Sequence, residues 1–293
     1  MLMNIRAGLD TYRYWRRFEQ TCADGTAKVS DAGVLPGLRN LRGDVDEILA
    51  SIRATGIAAV PNYWSAEQCA AARDEIDRLI DRYPVAVRAF SGGSDKRMFG
   101  VEEVSPLLGE FHNDTFLRGV GEVLGGLALY NFATLGARID ATGANNGSGD
   151  GWHRDGHGYQ FKSIIYLSDV TDENGPFEFL PGSHKRWRAL VDTAIGELPP
   201  APGTRYDPDL VDRMVNKFGL KRQHYTGKAG TLLLVNTSGI HRGRPLHAGS
   251  RYALTNYYYH PFQVSEGRIE QFAPMMPGTA ERIRSDLSLS SAQ

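Results

Sequence analysis

The sequence predicts a mainly β protein, a double-sheet β-barrel with helices packed outside it, and three observations carry that expectation. Beyond residue 126, segments rich in β-branched and aromatic residues follow one another: Leu127 to Ile139, Tyr159 to Leu167, Phe177 to Leu180, Leu220 to Tyr225, Thr231 to Val235 and Tyr252 to Tyr259. Turn-forming clusters separate them, as in Glu173-Asn174-Gly175-Pro176 and Leu180-Pro181-Gly182-Ser183. Before residue 126 the apolar spacing is helical instead. Leading helices followed by many short strands fit two packed sheets with helices on the outside.

Taken in order, residues 1–44 read as a helical extension packed on the barrel, and residues 45–293 as one barrel domain. Leu9, Tyr12, Trp15 and Phe18 recur every three residues, as on a helix face, with Arg13, Arg16 and Arg17 beside them. A basic aromatic helix can lie on a membrane surface; packing on its own domain, with arginine stems covering apolar surface, is the expectation. Val45, Ile48, Leu49 and Ile52 mark a further helix that Gly56 ends. Ile57 to Val60 is a short strand, and Ser65 with Gln68 forms a capping box. The helix it opens places Cys69, Ala72, Ile76, Leu79 and Ile80 at its apolar positions, and another helix starts at Asn113 or Asp114. Residues 187–218 interrupt the strands with a proline-rich stretch, Pro199 to Pro202, and a short helix near Asp209 to Phe218. Such an insertion reads as a lid or substrate wall, among the less ordered parts of the molecule.

Composition excludes several classes. Of 293 residues 41% are apolar and 23% charged, and 33 Lys plus Arg against 34 Asp plus Glu leave a net charge of -1. That balance belongs to a globular protein and offers no electrostatic case for nucleic acid. No run approaches the roughly 18 apolar residues of a membrane-spanning helix. The first residues lack the apolar core of a secretory signal. Cys22 and Cys69 are too few for a disulfide framework or a cysteine zinc site. A reducing cytoplasm is the expected compartment, and a small molecule the expected partner.

Of the eight histidines, two sit where a metal site would place them. His153-Arg154-Asp155 puts an imidazole and a carboxylate two residues apart, and in extended backbone residues i and i+2 share a face. His241 follows 88 residues later, just past the strand Thr231 to Val235. Two imidazoles and one carboxylate on one face of an octahedron are the facial triad of non-haem Fe(II) oxygenases, with positions left for a cosubstrate and O2. Arg251, ten residues past His241, opens the strand Tyr252 to Tyr259. Its guanidinium suits the distal carboxylate of 2-oxoglutarate, which it can grip through two parallel hydrogen bonds.

In the same order along the chain, Trp152-His153-Arg154-Asp155, Tyr166-Leu167-Ser168-Asp169, Glu173-Asn174-Gly175-Pro176, Leu180-Pro181-Gly182-Ser183-His184 and the tail from His241 to Arg251 resemble the phytanoyl-CoA dioxygenase family. The resemblance runs over roughly residues 45 to 262. It implies a double-stranded β-helix, or jelly roll, with Fe(II) held by His153, Asp155 and His241 and 2-oxoglutarate held by Arg251. The activity it implies is hydroxylation of a C–H bond with release of succinate and CO2. Asp155 speaks against chlorination, because related halogenases have alanine or glycine there. Two departures stand out: Arg154 lies where family members often have an uncharged polar residue, and Asp140 and Ala141 where they often offer an amide or lysine to the cosubstrate. Lys162 becomes the candidate second contact to 2-oxoglutarate, against the weightier reading of a solvated lysine on the outer barrel face.

Other residues take structural readings: His157 in a loop after the motif, His184 in the turn after Leu180, His247 in a hairpin loop, and His112, His224 and His260 without metal-like partners. Arg88, Lys96, Arg97 and the stretch Arg186 to Arg188 read as surface charge rather than as an anion site. Two other functions compete. A cupin-like metal enzyme could use the same three ligands without 2-oxoglutarate, and a non-catalytic binding module could keep the barrel alone. The first has no need of Arg251, and the second no need of an intact ligand set.

Overall fold

The computed structural model describes residues 4–25, 27–142, 151–196 and 198–289. Helices α1 (Ile5–Gly25), α2 (Asp31–Leu41) and α3 (Val45–Thr55) lead into β1 (Ile57–Val60) and α4 (Ala66–Arg82). Strands β2 (Arg88–Phe90) and β3 (Asp95–Phe99), helices α5 (Pro106–His112) and α6 (Thr115–Gly125), and strands β4 (Tyr130–Asp140), β5 (Phe161–Tyr166) and β6 (Phe177–Phe179) follow. After α7 (Arg186–Ala194) and α8 (Pro208–Phe218) come β7 (Gln223–Tyr225), β8 (Leu232–Asn236), β9 (His241–Gly243) and β10 (Ser250–Tyr259). Helices α9 (Glu266–Phe272) and α10 (Thr279–Leu287) close the chain.

Local chemistry sets the element ends. Ser65 and Gln68 exchange the two hydrogen bonds of a capping box at the start of α4. Asp114, outside α6, accepts the Phe116 N–H. Gly56 caps α3 at φ +100°, and a Cβ there would lie 2.7 Å from His184 Nδ1 and 2.8 Å from the Phe179 ring. Glycine alone meets both demands.

The strands form two antiparallel sheets, one of seven strands in the order β1-β8-β5-β10-β4-β3-β2 and one of three in the order β7-β6-β9. This is the double-stranded β-helix that the sequence predicts. Alternation along each strand divides the large sheet into two faces. Outward, Ala58, Val60, Ile165, Leu232, Leu234 and Leu254 pack against Ile52, Cys69, Ile76, Leu79 and Val120 of the helices. Inward, Leu233 and Val235 meet Phe177, Phe179 and Tyr225 of the small sheet. The cross-strand register continues the inner face: Arg251 lies opposite Ile139, Ala253 between Ala137 and Tyr166, Thr255 between Leu135 and Ile164, and Tyr257 opposite Lys162. The gap between the sheets is therefore lined by a known set of alternate residues.

One expectation needs correction. On α1, Trp15 is buried but Leu9 and Tyr12 are each 47% exposed. Every third residue falls back about 60° around a helix of 3.6 residues per turn, so the four residues spread over half its circumference. The packed face is Ala7, Thr11, Trp15 and Cys22 instead, with Trp15 Nε1 donating to the His157 carbonyl at 2.6 Å. The insertion packs against the motif. Its Leu198, Tyr206, Val211 and Met214 share a core with Trp152, Leu180 and Ile240.

Three histidines outside the gap are buried neutral. Burial pushes the His112 imidazole down to about 3, and those of His157 and His184 down to about 4. Unfolded, each would titrate near 6.5. The folded chain thus binds fewer protons between about pH 4 and 6.5, and stability from these groups, full above 6.5, is lost as pH falls through that window. Each contributes at most about 1.4 kcal/mol per pH unit. The Glu102 carboxyl, pushed up to about 7 by burial, opposes them over the same window, whereas His153 and His241 add to them once metal is removed. The balance predicts that the urea midpoint of chelator-treated protein falls between pH 7.5 and pH 5, and a midpoint that rises over that range would count against buried neutral imidazoles.

Candidate metal centre

His153 and His241 lie directly opposite each other in an isolated antiparallel bridge. Each backbone N–H donates to the other's carbonyl at 2.9 Å, which holds the two rings with centroids 4.2 Å apart. Asp155 follows on the same side, fixed by its N–H to the Thr237 carbonyl at 3.0 Å. His153 Nδ1 donates to the Gly151 carbonyl at 2.8 Å, and His241 Nδ1 to the Gly239 carbonyl at 2.9 Å. Those bonds fix the tautomer, leaving both Nε2 lone pairs toward Asp155, at 3.7 Å and 3.8 Å from its carboxylate oxygens. Gly239 is required at that turn, since a Cβ would collide with the Phe179 ring.

The protonation states are those a divalent cation needs. Burial pushes the His241 imidazole down to about 3 and lowers that of His153. Burial would raise the Asp155 carboxyl, but Lys162 and the two imidazoles outweigh it and hold it well below the usual range. One ligand atom from each of His153, Asp155 and His241 falls within 4.8 Å of the others, and no other such group of His, Cys, Asp or Glu occurs among the described residues. Three buried donors, two neutral nitrogens and one anionic oxygen, fit a facial site for a divalent transition metal.

The triad opens into a cavity of about 360 Å³ that also contains Arg251, Lys162, Tyr166 and Phe177. Arg251 is 6% exposed and has no carboxylate partner among the described residues. The carboxylate whose charge reaches it, Asp95, is bonded to Arg97 instead, and a buried guanidinium with no carboxylate bonded to it suits an anionic ligand. Lys162 is not the solvated lysine of the outer face: it points inward, its Nζ 2.7 Å from Asp155 Oδ2 and 4.0 Å from the centre of the Tyr257 ring. Asp140 lies outside the cavity, its carboxylate held by Arg138 and Ser250. His247, like His157 and His184, does not line the cavity.

Sequence reasoning missed two features. Arg88 and Arg97, read as surface charge, line the cavity, because β2 and β3 extend the large sheet past β4. Arg154 is the other. Its side chain is buried, donates to the Ser183 and Ser238 carbonyls and pairs with Asp192 of α7 at 3.3 Å. Arg188, also on α7, pairs with the same carboxylate at 2.7 Å. The residue between two candidate ligands thus bolts the insertion to the motif, and Arg205 of the insertion bridges to His153. The charge of Arg154, where the resemblance implies an uncharged polar residue, was the available signal.

The sequence profile of the phytanoyl-CoA dioxygenase family matches residues 52–252. An L-proline trans-4-hydroxylase of Streptomyces griseoviridis is 25% identical over 197 residues, covering 55% of this chain and 68% of that one. An ectoine dioxygenase of Stutzerimonas stutzeri is 21% identical over 219 residues, 67% of this chain and 70% of its own. Among solved structures, the epimerase SnoN in complex with Fe3+, alpha ketoglutarate and nogalamycin RO superposes with a TM-score of 0.59 at 19% identity, covering 81% of this chain and 91% of that one. The last similarity shows the shared fold.

Removing the shared carboxylate tests the clamp. Asp192→Ala leaves two buried guanidiniums unpaired, a change that costs about 3–5 kcal/mol. Chemical denaturation is expected to show that loss; a change below ~1 kcal/mol, the range of ordinary substitutions, would mean that α7 is held by its apolar contacts alone.

Proposed function

The chain belongs to the phytanoyl-CoA dioxygenase family, and on that premise we propose that it is an Fe(II)- and 2-oxoglutarate-dependent hydroxylase of a small molecule, with His153, Asp155 and His241 holding the iron and Arg251 the cosubstrate. The observation that carries the reading is the convergence of the two Nε2 atoms and the Asp155 carboxylate within 4.8 Å, at the wall of a cavity that also holds a buried arginine without a carboxylate partner. Bound there, iron with 2-oxoglutarate and O2 supplies oxidative decarboxylation to succinate and CO2 and the oxidising power to hydroxylate a C–H bond.

The protein's own contribution is orientation, charge and dryness. The Nδ1 bonds to Gly151 and Gly239 fix both imidazoles before any metal arrives. Asp155 brings one negative charge and fills the position that a halide would need, which supports hydroxylation. Arg251 binds the distal carboxylate of 2-oxoglutarate through two parallel hydrogen bonds. Lys162, whose ammonium lies beside Asp155, would be the second residue to hold the cosubstrate. Ala137, Ile164 and Phe177 form an apolar lining between these charges and keep water from them. The substrate is a small molecule, as for the L-proline and ectoine enzymes among the relatives. No helix among the described residues is long and apolar enough to cross a membrane.

Succinate formed from 2-oxoglutarate with Fe(II) and ascorbate tests the activity directly. Metal analysis tests the ligands: Asp155→Ala, His153→Ala and His241→Ala are expected to lose iron, and His247→Ala to retain it. Iron lost from His247→Ala and kept by His241→Ala would move the third ligand.

Arg251→Lys keeps the charge and loses the paired bond. Charge-assisted hydrogen bonds contribute on the order of 1.5–3 kcal/mol, and 1.36 kcal/mol is about tenfold. The KM for 2-oxoglutarate is therefore expected to rise roughly ten- to a hundredfold with normal iron content. A KM within about twofold of the parent would reject the anchor.

A further inference from the structure

We propose that the substrate carries a terminal anionic group, a carboxylate or a phosphate, gripped by Arg88 and Arg268 on the α9 side of the cavity. The proposal rests on the reading above, in which Arg251 is occupied by 2-oxoglutarate. Five arginines and Lys162 line the cavity against one carboxylate, Asp155. Lys162 is paired with Asp155, and Arg97 with Asp95 through two bonds of 2.9 Å and 2.5 Å. Arg88 and Arg268 differ: among the described residues neither meets a carboxylate.

Their partners are neutral. Arg88 Nη1 donates to the Gln271 carbonyl at 3.2 Å, and its guanidinium lies 5.6 Å from the Phe99 ring centre. Arg268 Nη1 donates to Gln271 Oε1 at 2.8 Å and lies 4.8 Å over the Tyr259 ring. One residue of α9 thus holds both cations beside each other, although like charges repel. An anion between them would remove that repulsion and use the forked donors that lysine lacks.

Position agrees with chemistry. Tyr259 and Arg251 stand at opposite ends of β10, and Lys162, next to the metal ligands, pairs with Tyr257 at the Tyr259 end. Arg268 thus stands at the end of β10 away from Arg251, while Arg88 reaches toward it from β2, level with Ala253 through Arg97 and Ala137, so an anion between them lies on the α9 side of the cavity. The cavity of about 360 Å³ must hold the cosubstrate too, so the substrate is small.

Isothermal titration of the Ni(II)- and 2-oxoglutarate-loaded protein tests this with matched pairs: hexanoate against hexanamide, L-proline against prolinamide, and hexyl phosphate against hexanol. The charged member of at least one pair is expected to bind tenfold or more tighter than its neutral partner. The arm that responds tells carboxylate from phosphate. Arg88→Met and Arg268→Met are each expected to weaken that charged ligand at least tenfold, with Arg268→Lys recovering part of the loss. Arg88 sits on an edge strand outside the core, so it carries the test if Arg268→Met does not fold. Equal binding of both members of every pair, no binding of any charged member, or charged-ligand affinities within twofold in both variants would each overturn the proposal. Titration of 2-oxoglutarate alone into the Ni(II)-loaded parent separates this outcome from failure of the cosubstrate reading.

Discussion

Everything in the site depends on one pair of backbone hydrogen bonds, those exchanged between His153 and His241 at 2.9 Å. They join segments 88 residues apart and set two side chains face to face without help from the side chains themselves. The remaining parts extend from that pair. Asp155 is on the same face because extended backbone repeats every two residues, and the ring orientations follow from carbonyls two residues upstream of each histidine, Gly151 and Gly239. A centre assembled from main-chain geometry is formed before its ligands arrive, so ordering it costs little on binding.

Charge is distributed around that centre in a graded way. At the candidate ligands a carboxylate with an ammonium beside it is balanced; at Arg251 the nearby carboxylate, Asp95, is bonded to Arg97 instead. At the rim two guanidiniums share one glutamine. With Arg251 holding the cosubstrate and Arg88 with Arg268 the substrate, as proposed, the cavity would hold two anions at different places with apolar side chains between them. That arrangement would sort two acidic molecules by position as well as by charge, which a uniformly basic cleft would not do.

The sequence revealed the parts that follow local rules. Strands β4, β5, β8 and β10 announce themselves through β-branched and aromatic runs, and the capping box at Ser65 and the stop at Gly56 through residue chemistry. His153, Asp155, His241 and Arg251 stood out by spacing and meet in one cavity. Strands β2, β3 and β9 escaped notice. Arg88-Ala89-Phe90, Asp95 to Phe99 and His241-Arg242-Gly243 are short and charged, and they become strands through pairing, β2 with β3, β3 with β4 and β9 with β6, a tertiary cause. For the same reason Arg88 and Arg97 read as surface charge. Lys162 was misplaced because the inward or outward phase of β5 is set by its neighbours, and a one-residue shift reverses every side chain.

The clamp at Arg154 has a consequence for how such a protein diversifies. Because the insertion is bolted to the metal motif at Asp192 and again at Arg205, the stretch between these anchors is a cassette with fixed ends. Leu198, midway along it, is buried against the core of Trp152, Leu180 and Ile240, so the stretch is held at its middle as well as at its ends. Among the described residues of the insertion only Arg205 lines the cavity, so a change of sequence between the bolts reaches the cavity through Arg205 and the strand bridge it makes with His153, and Arg154, the one cation of the motif, ties the two together.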